Sequence, residues 1–332
     1  MSFMTNRVFP WFKTIISSLE KKAYSHAYIL SGNEGLGKRD FSYIFSQILL
    51  CSKSELFLAC NECKSCHLFL SKTHPDFYEI DKEKGKKNIS INQIKEIKNN
   101  IHETSFLNGS KVFLILSGET MTKEANNALL KSLEEPPQNT YFILVSDSLM
   151  QIPITVKSRC FELNVPSPNN KEIKQWITDL DIQPELGNRA LRLTSGNVMK
   201  AAYFLENGLL EQRTKFIKDL GEFIKRGDNL LDISQAWSKE ITILTLVLEW
   251  MSILLMDCLR FKTKSNQIDI QEDSEKISEF LGTQVKQQVL YNLLEKTNYL
   301  WSIFKNGSSL RADYQLKALL IEWGKELNIS SR

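Results

Sequence analysis

Residues Ala27-Tyr28-Ile29-Leu30-Ser31-Gly32-Asn33-Glu34-Gly35-Leu36-Gly37-Lys38-Arg39 decide the fold. Ala27–Leu30 is an apolar run of strand length, Ser31–Lys38 is a glycine-rich loop, and Phe41–Leu50 carries apolar residues at helical spacing. Strand, glycine loop and helix in this order make a phosphate-binding loop, the P-loop. Gly32, Gly35 and Gly37 let backbone N–H groups approach phosphate oxygens, and Lys38 would neutralise the outer phosphates. The pattern holds through the lysine and then fails. Its last position calls for Ser or Thr, whose hydroxyl ligates magnesium, but Arg39 stands there and cannot ligate a cation.

Working outward, Lys111–Leu116 and Tyr141–Val145 are further apolar runs of strand length. Ile91–Ile101 is an amphipathic helix with Ile91, Ile94, Ile97 and Ile101 on one face. Lys123–Glu135 is a helix stopped by Pro136-Pro137. Strands alternating with helices predict a parallel α/β sheet. A working P-loop ATPase carries acids at the end of a second core strand, to hold magnesium and polarise the attacking water. Here that strand ends in Leu116-Ser117-Gly118, and Glu119 comes too late for the usual place.

Pro166 and Pro168 mark a linker. The expected division is an α/β P-loop domain over 1–165, a small helical domain over 166–205 and an all-helical domain over 206–332. Ile241–Leu259 approaches membrane length, but Glu249 and Asp257 interrupt it, so a buried bundle helix is expected.

Four of the six cysteines crowd together: Cys51, eight residues, Cys60, two, Cys63, two, Cys66. In a reducing compartment this reads as a metal site. Four thiolates complete a tetrahedral shell with no open position, which predicts structural zinc at about 51–66. His67 could compete as a ligand, but four sulfurs already suffice. His74, in a His-Pro-Asp turn, is expected to face solvent. Cys160 and Cys258 read as buried apolar residues.

The formal net charge of +3 does not by itself mark a nucleic-acid surface. Lys82, Lys84, Lys86 and Lys87 could touch phosphates, but Asp81 and Glu83 dilute their charge and favour a solvated loop. Met1–Leu19 lacks a signal-peptide pattern, so a cytoplasmic location is expected.

Ser25-His26-Ala27-Tyr28, the P-loop, the four-cysteine insert, Ala125-Asn126-Asn127-Ala128-Leu129-Leu130-Lys131-Ser132-Leu133-Glu134-Glu135-Pro136 and Ser158-Arg159-Cys160 together resemble the bacterial DNA polymerase III clamp-loader AAA+ family. The likeness covers 25–205, and the remainder is similar to that family's all-helical collar. It implies an AAA+ P-loop domain with a parallel sheet and zinc module, then a helical lid and a collar that forms the ring.

The family contains ATP-hydrolysing gamma/tau members and the non-hydrolysing delta-prime type. Arg39, Leu116-Ser117, and Met199 where gamma members carry a nucleotide-sensing arginine all point to the delta-prime type. The alternative is a gamma/tau-type ATPase, which would need the acidic pair. A third possibility, an independent zinc-dependent DNA-binding protein, would need a basic recognition helix, and Asn61-Glu62-Cys63-Lys64-Ser65 is not one.

The resemblance further implies that Arg159 reaches into the ATP site of a neighbouring subunit as an arginine finger. It implies gamma/tau and delta subunits as ring partners, the sliding clamp and primer-template DNA as partners through the assembly, and no membrane. Passive ATP or ADP binding at the P-loop stays open. So does the placing of Trp237 and Trp250 in core or interface.

Overall fold

The computed structural model describes residues 9–20, 25–54, 58–83, 85–227, 230–263 and 271–327. Among the described residues five strands, β1 (Ala27–Ser31), β2 (Phe77–Ile80), β3 (Lys111–Ile115), β4 (Thr140–Val145) and β5 (Phe161–Asn164), form one sheet in the order β2-β3-β4-β1-β5, every pair parallel. The helices that precede and alternate with them are α1 (Phe12–Glu20), α2 (Lys38–Leu50), α3 (Lys64–Leu70), α4 (Ile91–His102), α5 (Lys123–Glu134) and α6 (Ile154–Lys157). Every residue of β1 and β3 is buried, as expected of strands covered by helices on both faces. Ile29, Phe113, Phe142 and Leu144 from the sheet meet Ile94, Ile97 and Ile101 of α4 and Leu129 and Leu133 of α5 in one core. The predicted α/β class and parallel sheet are what the structure has.

Beyond Asn164 every regular element among the described residues is helical. These are α7 (Asn170–Asp179), α8 (Pro184–Leu193), α9 (Val198–Glu206), α10 (Leu209–Arg226), α11 (Leu230–Ala236), α12 (Ile241–Thr263), α13 (Glu275–Gln284), α14 (Gln287–Lys305) and α15 (Ala312–Glu326). The chain divides into two compact units: Met1–Gly187 with Asn197–Lys200, and Asn188–Gly196 with Ala201–Arg332.

The second unit is built around α12. This helix is long and apolar enough to cross a membrane, yet Leu244, Val247, Leu248, Met251, Leu254 and Leu255 are all buried within the unit. Asp257 in the same helix is fully buried and is bonded by Arg260 (2.8 Å) and the Gln271 N–H (3.2 Å). Trp237 and Trp250 are both buried here, against Phe216. Both tryptophans are core residues of this unit.

Candidate functional site

The P-loop runs from the carboxyl end of β1 into the first turn of α2. β1 lies between β4 and β5 in the sheet, so the loop opens beside a switch in strand order, where such sheets bind ligands. Gly32 has φ +135°, and a Cβ on it would lie 2.6 Å from the Val165 carbonyl oxygen. Gly35 has φ +82°, and a Cβ there would collide with the Asn197 side chain. These glycines are therefore required by the chain's own packing, whatever their part toward phosphate. The loop is braced from below by an aromatic cluster that sequence reasoning missed. Trp11 Nε1 donates to Leu36 O (2.9 Å), and Phe9, Trp11 and Phe12 are buried against one another.

Lys38 is almost fully buried, and its ammonium already has three oxygen partners: Gly32 O (2.7 Å), Asn33 O (2.5 Å) and Asp147 Oδ1 (2.6 Å). Three donors thus meet three acceptors within the chain. Arg39 pairs with Asp81, whose other oxygen accepts from Ser117 Oγ (3.3 Å). The pocket of about 510 Å³ around Lys38 is lined by Glu34, Asp40, Glu119 and Asp147 against Lys38, Arg39 and Lys200. Burial pushes the Asp40 carboxyl above its usual range, outweighing its backbone hydrogen bond and Arg39.

Two of these acids escaped the sequence reading. Asp147 follows β4 and could not be placed without knowing that β4 adjoins β1. Glu119 was discounted for its position, but the 3-10 turn Gly118–Thr120 brings it to the pocket, with Oε2 buried and without a hydrogen-bond partner among the described residues. Met199 also lines the pocket, its N–H donating to Gly35 O (3.1 Å).

The four clustered cysteines converge. All four Sγ atoms lie within 4.8 Å of one another. The separations are 3.5 Å for Cys51–Cys60, 3.9 Å for Cys51–Cys63 and 4.0 Å for Cys60–Cys66. A tetrahedron with zinc–sulfur bonds of about 2.3 Å has edges of about 3.8 Å, so the cluster fits a tetrahedral metal ion and suits zinc. Backbone N–H groups of Cys60 and Lys53 point at Cys51 Sγ, that of Cys63 at Cys60 Sγ, and that of Cys66 at Cys63 Sγ, at 3.3–3.4 Å. Such bonds favour thiolates. Burial pushes the Cys51 and Cys66 thiols up, whereas backbone N–H bonds draw Cys60 down.

The expectation for His74 is corrected. It is buried, because a tertiary contact draws the turn inward. Its Nδ1 accepts from the Asp76 N–H (3.1 Å), which leaves Nε2 to donate to Ser65 Oγ (2.9 Å), and Ser65 in turn donates to Leu50 O (2.7 Å). This chain ties α2, α3 and the start of β2 together behind the cysteines. His67 is exposed. Lys82, Lys86 and Lys87 are exposed in their loop, and Lys84 lies outside the described residues.

Arg159 follows α6 and is one-third exposed. Its Nε and Nη2 donate to Glu134 Oε1 (2.9 and 2.5 Å), and its Nη1 to Thr155 O (2.7 Å) and Ser158 Oγ (3.1 Å). Cys160 is partly buried, and burial pushes its thiol up to about 12.

Two family models match the chain: "DNA polymerase III, delta subunit" over residues 10–169 and "DNA polymerase III, delta subunit, C terminal" over 207–325. The DNA polymerase III subunit delta' of Haemophilus influenzae is 30% identical over 260 residues, 77% of this chain and 78% of that protein. The delta' subunit of Pseudomonas aeruginosa is 28% identical over 320 residues, 95% and 97% of the two chains, and that of Escherichia coli 28% over 264 residues, 76% and 77%. The chain belongs to the DNA polymerase III delta-prime family. It is a clamp-loader subunit and a component of the DNA polymerase III holoenzyme, and the delta-prime relatives favour this over a gamma/tau-type subunit. In this chain the residue at the magnesium-hydroxyl position is an arginine with a carboxylate of its own, and the P-loop lysine is held within the chain.

Proposed function

We propose that this delta-prime subunit is a non-catalytic stator of the clamp loader. In this reading it binds no productive nucleotide itself and places Arg159 at the ATP site of a gamma/tau neighbour. The observation that carries the first half is Lys38: its three donors already meet Gly32 O, Asn33 O and Asp147 Oδ1. A phosphate would have to displace the Asp147 carboxylate in a pocket lined by four acids and three bases. Arg39 and Leu116-Ser117 supply neither the magnesium hydroxyl nor the acidic pair that hydrolysis needs. Glu119 lies in the pocket, but with no hydroxyl at position 39 it lacks the other half of a magnesium site.

For the second half, a cation at the neighbour's site would neutralise charge developing on the transferred phosphoryl group, an effect worth roughly 10³-fold or more where such fingers operate. Residues 166–205 serve as a small helical lid and 206–332 as the ring-forming collar, with gamma/tau and delta subunits as neighbours and the sliding clamp and primer-template DNA engaged through the assembly. Cys51, Cys60, Cys63 and Cys66 hold one structural zinc ion. The subunit works in the cytoplasm.

The test is steady-state hydrolysis and ADP binding by the isolated subunit. We expect negligible turnover, and ADP binding that strengthens in Asp147→Asn, where Lys38 loses its anionic partner. Turnover above about 0.1 per second that is lost on Lys38→Ala contradicts the reading, on a scale where enzymes commonly run at 1–10³ per second.

A further inference from the structure

We propose that Glu134 is the positioning residue of Arg159: its carboxylate fixes the guanidinium at the rim of a surface recess before a neighbouring subunit arrives. The proposal rests on the reading of Arg159 as a residue acting in trans. Both donors on one edge of the guanidinium, Nε and Nη2, converge on a single oxygen, Glu134 Oε1, while Nη1 is held by Thr155 O and Ser158 Oγ. The side chain is thus tied to the end of α5 on one side and to its own α6 on the other. A free arginine carries much rotamer freedom that a captured phosphate must freeze, and a planar fork held in advance loses less of it per bond formed.

Glu134 is the last residue of α5, where the helix dipole disfavours a carboxylate. The guanidinium of Arg159 supplies the compensating charge. The same end of α5 is pinned to the start of β1 by a hydrogen bond between His26 Nε2 and Leu133 O (2.9 Å). His26, Leu133, Glu134, Ser158 and Arg159 together line an open recess of about 510 Å³.

The face is poised for contact. Met150 and Ile154, on the segment leading to Arg159, are 93% and 73% exposed, the most exposed large apolar side chains among the described residues. The ion pair is itself accessible, with side chains 33% and 47% exposed, so an incoming phosphate can exchange with the carboxylate.

The experiment compares assembled clamp loaders carrying Glu134→Ala, Glu134→Gln, Arg159→Ala, and Glu134→Ala with Arg159→Ala together. Hydrolysis is resolved into kcat and KM for ATP. We expect Glu134→Ala to lower kcat at the one site Arg159 faces by roughly two- to fivefold, the range an exposed ion pair supports, with KM little changed. Glu134→Gln keeps an oxygen that can accept both N–H bonds and should retain more activity than Glu134→Ala. The double variant should be no slower than Arg159→Ala alone, a non-additivity that a merely structural role would not produce.

If Arg159→Ala is impaired while Glu134→Ala is as fast as the unaltered loader or faster, the positioning role is overturned. A double variant slower than Arg159→Ala overturns it as well. If Arg159→Ala itself has no effect, the reading in trans fails first and this proposal falls with it. Should Glu134→Ala fail to fold, Glu134→Gln combined with Arg159→Ala decides the question by the same non-additivity.

Discussion

Cys63→Ser removes one of the four sulfurs that lie within 4.8 Å of one another. Cys63 is the N-cap of α3, its sulfur accepting from the Cys66 N–H, and it is buried against Cys51. Serine can keep the cap but is a poor zinc ligand. Structural zinc contributes about 10–16 kcal/mol of binding free energy, which at such sites is folding free energy. One ligand of four carries on the order of 3–4 kcal/mol of it, or roughly 10²–10³ in metal affinity. α3 has seven residues, too few to stand as a helix alone, and depends on the cysteines and on Ser65 for its place. Losing about 3–4 kcal/mol from a unit of this size should lower its unfolding midpoint by roughly 6–16 °C. The assay is metal content after dialysis against a mild chelator, followed by thermal unfolding, with Cys258→Ser as the control that keeps its zinc. Wild-type protein purified without chelator and holding no zinc, or Cys63→Ser holding a full equivalent at an unchanged midpoint, would refute the reasoning.

Two further outcomes follow from the geometry. Gly32→Ala places a Cβ 2.6 Å from the Val165 carbonyl at a φ that side chains avoid, so it should cost at least about 1–3 kcal/mol in denaturant unfolding. Gly109→Ala, with nothing within 4 Å, should be near neutral, and equal effects from the two would contradict the packing argument. Burial draws the His74 pKa below 6.5 despite the opposing charge of Asp76, so neutral imidazole is the folded form. Its contribution is present above pH 6.5 and is lost as pH falls through the lower folded value. His74→Gln, compared at equal metal content, should flatten that acid limb of stability, and an unchanged limb would count against the buried network.

The parts legible in the sequence were those set by local chemistry. β1, β3 and β4 are interior strands buried by helices, so they read as apolar runs. The P-loop glycines and the cysteine spacing are local constraints that chemistry imposes at short range. The two strands that went unread, Phe77–Ile80 and Phe161–Asn164, are the edges of the sheet. Phe77–Ile80 presents neither an apolar run nor a clean alternation, and Phe161–Asn164 alternates apolar and polar residues over only four positions, too short a stretch to stand out. Burial of His74 depends on Ser65, and the closure of Lys38 depends on Asp147 brought in by the β1–β4 pairing. The Arg159–Glu134 pair likewise joins residues that only the fold brings together. None of these has a local signature. Phe9, Trp11 and Phe12 support the P-loop from outside the motif that defines it.

The most direct test of the account is hydrolysis by a reconstituted clamp loader in which only this subunit carries Arg159→Ala. The isolated variant should keep its fold and zinc, since Arg159 is a partly exposed side chain paired only at the surface. The assembled complex should form and still hydrolyse ATP, but at a partially reduced rate, because one of several sites loses its cation. Arg159→Lys should not restore that rate fully, because an ammonium lacks the planar fork. DNA- and clamp-stimulated hydrolysis unchanged by Arg159→Ala in a fully assembled complex would contradict the trans role and leave Arg159 an ordinary surface ion-pair residue.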